Sequence, residues 1–225
     1  MLTLIKRLTR LLPRSIHTSL RRVHFARQIR AGRFQADEPE AARLGDFLRE
    51  GDWAIDVGAN VGHYTLAMSE IVGRGGRVIS FEPMRSTFSV LSANVEFAKN
   101  GNVSLINTAA SSVTAVLKMD MPTDDATGLE NPYQAQIREV GEFSILALPI
   151  DALQLAGPVR LVKIDAEGHE LDVLKGMAGL IDRCAPAMVI EGDDPEVEAF
   201  LASKRYSYRT LEGSWNRIFE RQSAG

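Results

Sequence analysis

Short apolar runs alternate along this chain with stretches whose apolar positions recur every three or four residues. Trp53-Ala54-Ile55-Asp56-Val57 is one such run, and Arg77 to Glu82, Val103 to Thr108, Val159 to Asp165 and Ala187 to Glu191 are others. Runs of this length bounded by glycine or polar residues predict buried strands. Between them, helical spacing predicts helices over 61–72, closed by Gly73, and over 86–99, with Ser86 as N-cap and Gly101 as stop. In the second of these Phe88, Leu91 and Val95 face inward. A further helix over 169–181 turns Leu171, Leu174 and Ile181 inward, and Asp194-Pro195 opens another as N-cap and first helical residue. Pro39 to Glu50 reads as a lead-in helix with Leu44, Phe47 and Leu48 on one face, ended by Gly51. Tyr206 to Leu211 and Trp215 to Glu220, parted by Glu212-Gly213-Ser214, predict an antiparallel pair. Repeated strand-helix units with apolar strands imply an α/β, Rossmann-like fold: a doubly wound, mainly parallel sheet with a C-terminal antiparallel hairpin.

The segment 110–150 breaks that alternation. Val113 to Met119 and Phe143 to Leu148 have strand character, and the polar stretch Asp120 to Glu142 reads as a long loop. Long loops in compact domains are functional or disordered. This one is expected to be a substrate lid, with a plain surface insertion as the alternative.

Composition changes the picture in one place. With 225 residues, 45% hydrophobic and 24% charged, the chain suits one α/β domain. Its balance of −3 hides a split. Residues 1–36 carry nine Lys or Arg and no acid, leaving 17 basic against 29 acidic residues in 37–225, or −12. The division expected is therefore a basic extension, 1–36, and a catalytic domain, 37–225. An acidic body argues against a nucleic-acid partner. Cys184 is the only cysteine, so no intrachain disulfide forms, and a reducing, cytoplasmic setting is expected. No apolar run approaches the roughly 20 residues that span a bilayer. The first dozen residues are nonetheless amphipathic: Leu4, Leu8, Leu11 and Leu12 oppose Lys6, Arg7, Arg10 and Arg14 until Pro13 intervenes. Three readings stay open for 1–36, namely peripheral contact with anionic membrane, a basic extension packed on the body, and an organellar targeting segment. The oligomeric state is not readable.

The chemistry centres on Asp56-Val57-Gly58-Ala59-Asn60-Val61-Gly62. A strand, a glycine turn formed by Gly58 and Gly62, and a helix make a nucleotide cradle. Glu82, an acid at the end of the next strand, suits a ribose diol. A dinucleotide fingerprint needs a second bare glycine for the pyrophosphate, and here that place holds Asn60. Asp56 at the mouth would repel a pyrophosphate and favour an ammonium or sulfonium. S-adenosylmethionine carries both cations and no phosphate, so it is the expected cofactor, with an NAD(P)-dependent oxidoreductase or a non-catalytic S-adenosylmethionine-binding protein as alternatives. Asn60, Tyr64 and Thr65 are expected at the methionine carboxylate, helped by the helix dipole. Pro83 and Met84 are expected on adenine and Ala109 at its edge. Asp56, Glu82, Asp165 and Glu191 all fall at or near strand carboxyl ends, where such sheets bind ligands.

These motifs also carry a family resemblance. Gly51-Asp52, the run Asp56 to Thr65, Phe81-Glu82-Pro83, the block Lys163 to Glu170 and Leu174-Lys175-Gly176 resemble, in order and spacing, the FkbM family of S-adenosylmethionine-dependent O-methyltransferases. The match covers about residues 40–192. The resemblance implies a class I methyltransferase fold and methylation of a hydroxyl on a small molecule, sugar or glycolipid. A hydroxyl must lose or share its proton as the C–O bond forms. Lys163 and Asp165 alternate to one side of a strand, and either is a candidate base, or Lys163 a stabiliser of the alkoxide. Glu167 and His169 complete the catalytic set. A divalent cation on this acid cluster is not favoured, because the spacing of one strand-end cluster does not demand it. His63, in a first helical turn, is either near the acceptor or merely exposed.

Overall fold

The computed structural model describes residues 14–123, 131 and 134–222. The amphipathic first dozen residues lie outside these, as do 124–130 and 132–133 of the expected loop.

The chain begins with helix α1 (Arg14–Arg30), then a 3-10 turn (Pro39–Arg43) and a one-turn helix α2 (Leu44–Phe47). The core units follow: β1 (Trp53–Val57), α3 (His63–Val72), β2 (Arg77–Phe81), α4 (Arg85–Val95) and β3 (Val103–Ile106). Next come β4 (Ala109–Ala110), β5 (Ala115–Asp120), β6 (Gln136–Arg138) and β7 (Phe143–Leu148). The C-terminal part runs β8 (Val159–Ile164), α5 (Glu170–Lys175), α6 (Ala178–Cys184), β9 (Ala187–Glu191), α7 (Pro195–Ser203), β10 (Tyr206–Thr210) and β11 (Asn216–Arg221).

Seven strands form the main sheet in the order β10-β11-β9-β8-β1-β2-β3. The run from β9 to β3 is parallel, and β11 joins it antiparallel, with β10 as the outer hairpin strand. This is the doubly wound sheet with an antiparallel edge that the apolar runs predict. One face packs Ile55, Val57, Phe81, Val162 and Ile164 against Val173, Leu174, Ile181 and Leu201 from α5, α6 and α7. On the other, Ala54, Val78 and Leu161 meet Tyr64, Met68 and Val72 of α3 and Leu44 and Leu48 of the lead-in segment. Burial of these side chains supplies the main driving force, about 1.5–3 kcal/mol for each large one. Among the described residues no helix is long and apolar enough to cross a membrane.

Four expectations need correction. The lead-in helix is mostly 3-10, and its α-helical turn ends at Phe47, with Leu48 extended at its C-cap. Helix α4 is capped at Met84, not Ser86, and buries Thr87, Val90, Leu91 and Asn94, leaving Phe88 and Val95 half-buried. The expected helix 169–181 is two helices. Gly176 lies between them, where the backbone of Ser111 passes so close that a Cβ would stand 1.9 Å from its carbonyl oxygen. Finally, Asp120 to Glu142 is not wholly loop. Gln136–Arg138 pairs antiparallel with Lys118–Asp120, giving a four-stranded second sheet in the order β4-β7-β5-β6. Its buried side packs Met119, Met121, Ala135, Ile145 and Ala147 against Met84 and Ala109.

Candidate active site

A cavity opens beyond the carboxyl ends of β1, β2 and β8, and the second sheet closes one side of it. Gly58, Asn60, Glu82, Pro83, Ala109, Asp165, Glu167 and His169 line it, together with Met84, Met119, Ala135 and Ile137. Sequence reasoning named the first eight and Met84, but not the apolar wall from the second sheet. That wall depends on strand pairing across the chain, which no local pattern reports.

The turn after β1 is built to let backbone come close. Gly58 has φ +74°, and a Cβ on it would stand 1.8 Å from the backbone oxygen of Asp165. The amides of Gly58 and Ala59 both donate to Phe81 O, at 3.1 and 2.9 Å. Gly62 has φ +99° and abuts Leu91, and Asn94 Nδ2 donates to Val61 O at 2.8 Å, so α4 holds the far side of the turn. Asn60 is left-handed (φ +48°), which Asn tolerates better than most residues. Its amide donates to Glu82 Oε2 at 3.0 Å, and the amide of Met84 donates to Oε1 at 2.8 Å. Each Glu82 oxygen therefore keeps a lone pair for a ligand. Burial raises the Glu82 carboxyl to about 7 despite those two donors. Asn60 Oδ1 is buried without a partner among the described residues.

Five expected site residues lie beneath this cavity and do not line it. Ser80, Asp56 and Lys163 are register partners across β2, β1 and β8, so their side chains form a buried polar row on the α3 face. Thr65, fully buried, donates from Oγ1 to Asp56 Oδ2 at 2.5 Å and shares a 2.9 Å hydrogen bond with Ser80. Burial raises the Asp56 carboxyl to about 6, against the lowering pull of Thr65 and Lys163. Tyr64 packs in the core with Lys163 Nζ 5.5 Å from its ring centre, and Gly62 caps the helix start. Asp56 and Thr65, expected at the methionine end, thus bind each other below the cavity, and Tyr64 packs in the core beside Lys163. Lys163, 4% exposed, is likewise set back, its Nζ 3.5 Å from Asp165 Oδ2 and 3.4 Å from Ile164 O. Alternation along a strand revealed its side but not its depth.

Around Asp165 the acids do converge. Carboxylate oxygens of Asp165, Glu167 and Glu191 lie within 4.8 Å of one another. A hydrogen bond with Asp165, together with burial and the charge of Asp165, raises the Glu191 carboxyl to about 8. Burial also raises Glu167. These three carboxylates are placed so that they could hold a cation, and Lys163 Nζ already stands 3.5 Å from Asp165 Oδ2 beside them. Glu170, which sequence reasoning gave no role, braces this loop: Oε1 accepts from the amides of Ala166 and Gly168 at 2.9 and 3.1 Å. His169 has both ring nitrogens engaged, Nε2 with Ser111 Oγ at 2.9 Å and Nδ1 near Asp172 Oδ2 at 3.7 Å. Burial lowers its pKa. His63 is neither exposed nor at the cavity: it stacks on Phe34 with ring centres 4.1 Å apart.

The family model described as the Methyltransferase FkbM domain matches residues 56–209. The chain belongs to the FkbM methyltransferase family. It is 31% identical over 135 residues to the Hexuronic acid methyltransferase AglP of Haloferax volcanii, covering 59% of this chain and 52% of the relative. Methyltransferase 1 of Beauveria bassiana is 23% identical over 192 residues, 74% of this chain and 76% of its own. The crystal structure of Methyltransferase FkbM from Methylobacillus flagellatus superposes with a TM-score of 0.54 at 18% identity, over 80% of this chain and 50% of that one, and so shares the fold. The chain thus spans about half the length of the haloarchaeal relative and of the Methylobacillus protein. The cofactor of this methyltransferase is S-adenosylmethionine. The cradle fits it in two respects: the free lone pairs of Glu82, and the unpartnered Asn60 Oδ1, which suits an ammonium donor.

Proposed function

We propose that this FkbM methyltransferase is an O-methyltransferase, transferring the methyl group of S-adenosylmethionine to a hydroxyl of a small-molecule, sugar or glycolipid acceptor. The observation that carries this reading is Asp165: its carboxylate lines the same cavity as Glu82, on the far side of the Gly58 turn, and is tied to Glu191 and Lys163. The bound cofactor supplies an electrophilic methyl carbon on a sulfonium, which leaves as a neutral thioether. The acceptor oxygen forms the new C–O bond, and its proton passes to the Asp165 carboxylate. Lys163 is a positioning residue: its ion pair fixes Asp165, and its burial keeps it from the acceptor. The ribose hydroxyls fall to Glu82, the methionine ammonium to Asn60 Oδ1, and adenine to Pro83, Met84 and Ala109. Apolar Met119, Ala135 and Ile137 keep water from the reacting atoms. The haloarchaeal relative named for a hexuronic acid makes a sugar hydroxyl the first acceptor class to try.

Calorimetric titration and a methyl-transfer assay on uronic acid glycosides, neutral sugars and glycolipids test this reading. S-adenosylmethionine and S-adenosylhomocysteine should bind and NADH should not. Asp165→Asn should slow transfer on the order of 100-fold while cofactor affinity stays within about twofold. A preference for NADH would point to an oxidoreductase. Cofactor binding without turnover on every acceptor class would point to a binding protein.

A further inference from the structure

Helix α1 leaves one face largely exposed among the described residues. Its inner side is fixed: Phe25 is buried against Phe34 in an edge contact at 5.6 Å. Arg22 donates from Nε to Ser89 O of α4 at 3.1 Å and from Nη2 to Ser89 Oγ. On the opposite side Ile16, Leu20 and Val23 are 41%, 52% and 50% exposed. Their spacing of four and three residues lines them up along one face of the helix. Arg27 and Arg30, also exposed, continue the same stripe by position, with the Arg30 guanidinium over the Phe97 ring at 5.2 Å. Three branched aliphatics side by side on a helix whose other side is already packed leave apolar area that no contact among the described residues recovers.

Charge decides what suits this face. No acid occurs in residues 1–36, whereas 37–225 carries −12. The segment ahead of the helix has the same chemistry in sequence, with Leu2, Leu4, Ile5, Leu8, Leu11 and Leu12 among Lys6, Arg7 and Arg10. Aliphatic side chains set among arginines match a surface that is anionic at the headgroups and apolar just below them. We propose that the Ile16–Leu20–Val23 face of α1, with Arg27 and Arg30, docks this protein on an anionic lipid surface.

Co-sedimentation of the full-length chain with vesicles tests it, using mixed phosphatidylcholine and phosphatidylglycerol against phosphatidylcholine alone. The chain should sediment with the anionic vesicles at low salt and be released as salt screens the arginines. Leu20→Glu combined with Val23→Glu should weaken binding on the order of tenfold. Arg27→Ala combined with Arg30→Ala should weaken it about 25-fold, roughly fivefold for each charge. Both variants alter exposed side chains and should keep the parent's affinity for S-adenosylmethionine. If the glutamate pair loses that affinity, the arginine pair decides. Absence of sedimentation at low salt, or unchanged binding by a folded variant of either kind, overturns the proposal. So does a dimer that the glutamate pair splits without any vesicle binding, which would make the stripe a contact between two copies of this chain.

Discussion

Glu82→Ala should weaken S-adenosylmethionine binding at least tenfold, or more than about 1.4 kcal/mol. Two losses add. The carboxylate takes the amides of Asn60 and Met84, so without it the left-handed turn at Asn60 loses its tether. The lone pairs proposed for two ribose hydroxyls go as well, and hydrogen bonds to a charged group are each worth about 1.5–3 kcal/mol. The pH dependence is a sharper signature. Burial puts the Glu82 carboxyl at about 7, so near neutral pH about half of it carries a proton in the free protein. Only the ionised form accepts from both hydroxyls. Affinity should therefore rise between about pH 6 and 8, and binding below about pH 7 should release a proton, measurable by calorimetry in buffers of different ionisation heat. Glu82→Gln should flatten that slope. Unchanged affinity in the alanine variant would remove Glu82 from the site.

The same burial fixes the sign of a stability effect. Glu82 and Asp56 are raised to about 7 and about 6 from ordinary values of 4.5 and 3.8. Their contribution to stability is present below the unfolded values and is lost as pH rises through the folded ones. The free protein thus loses stability between about pH 4 and 7 on account of these two groups, and the melting-temperature gain on adding cofactor should grow from pH 6 to 8.

Gly58→Ala should do more damage than its one added methyl suggests. The Cβ would stand 1.8 Å from the Asp165 carbonyl oxygen, and that neighbour is backbone. Neither partner is free to move: the amides of Gly58 and Ala59 are bound to Phe81 O, and the Asp165 amide donates to Val57 O at 3.1 Å. The backbone at φ +74° adds strain for any L side chain. Together these should cost about 3 kcal/mol or more, lowering the melting temperature on the order of 10 °C and abolishing cofactor binding. Gly168→Ala is the control. It also has positive φ (+91°), but no atom lies within 4 Å of its Cβ position, so only backbone strain of about 1 kcal/mol is expected. Scanning calorimetry of the two variants would show this difference; equal melting temperatures would mean that the close passage at Asp165 gives way easily.

Strands and their punctuation were legible where the physics is local. Ala187–Glu191 and Phe143–Leu148 occupy the spans the apolar runs predict, and the Asp194 side chain caps α7 by accepting from the Glu196 amide at 2.8 Å. The glycine turn, Glu82 and Asp165 were legible because strand ends and positive-φ positions leave clear marks. Depth was not. Asp56, Thr65 and Lys163 form a polar row under α3 because Thr65 and Ser80 happen to meet Asp56, and nothing along a single strand distinguishes a carboxylate sunk in a row from one on a rim. The break at Gly176 and the pairing of Gln136–Arg138 with Lys118–Asp120 arise from distant segments meeting, where helical spacing and loop polarity carry no information.

The cavity draws its walls from two sheets. The parallel one holds Gly58, Glu82 and Asp165, whereas Met119 and Ile137 come from β5 and β6, whose pairing is antiparallel. Two such walls can diverge at different rates. Residues on β5 and β6 can be exchanged, lengthened or recharged across lineages while the glycine turn stays as it is, so variation in the acceptor is expected to accumulate on one side of the cavity and invariance on the other.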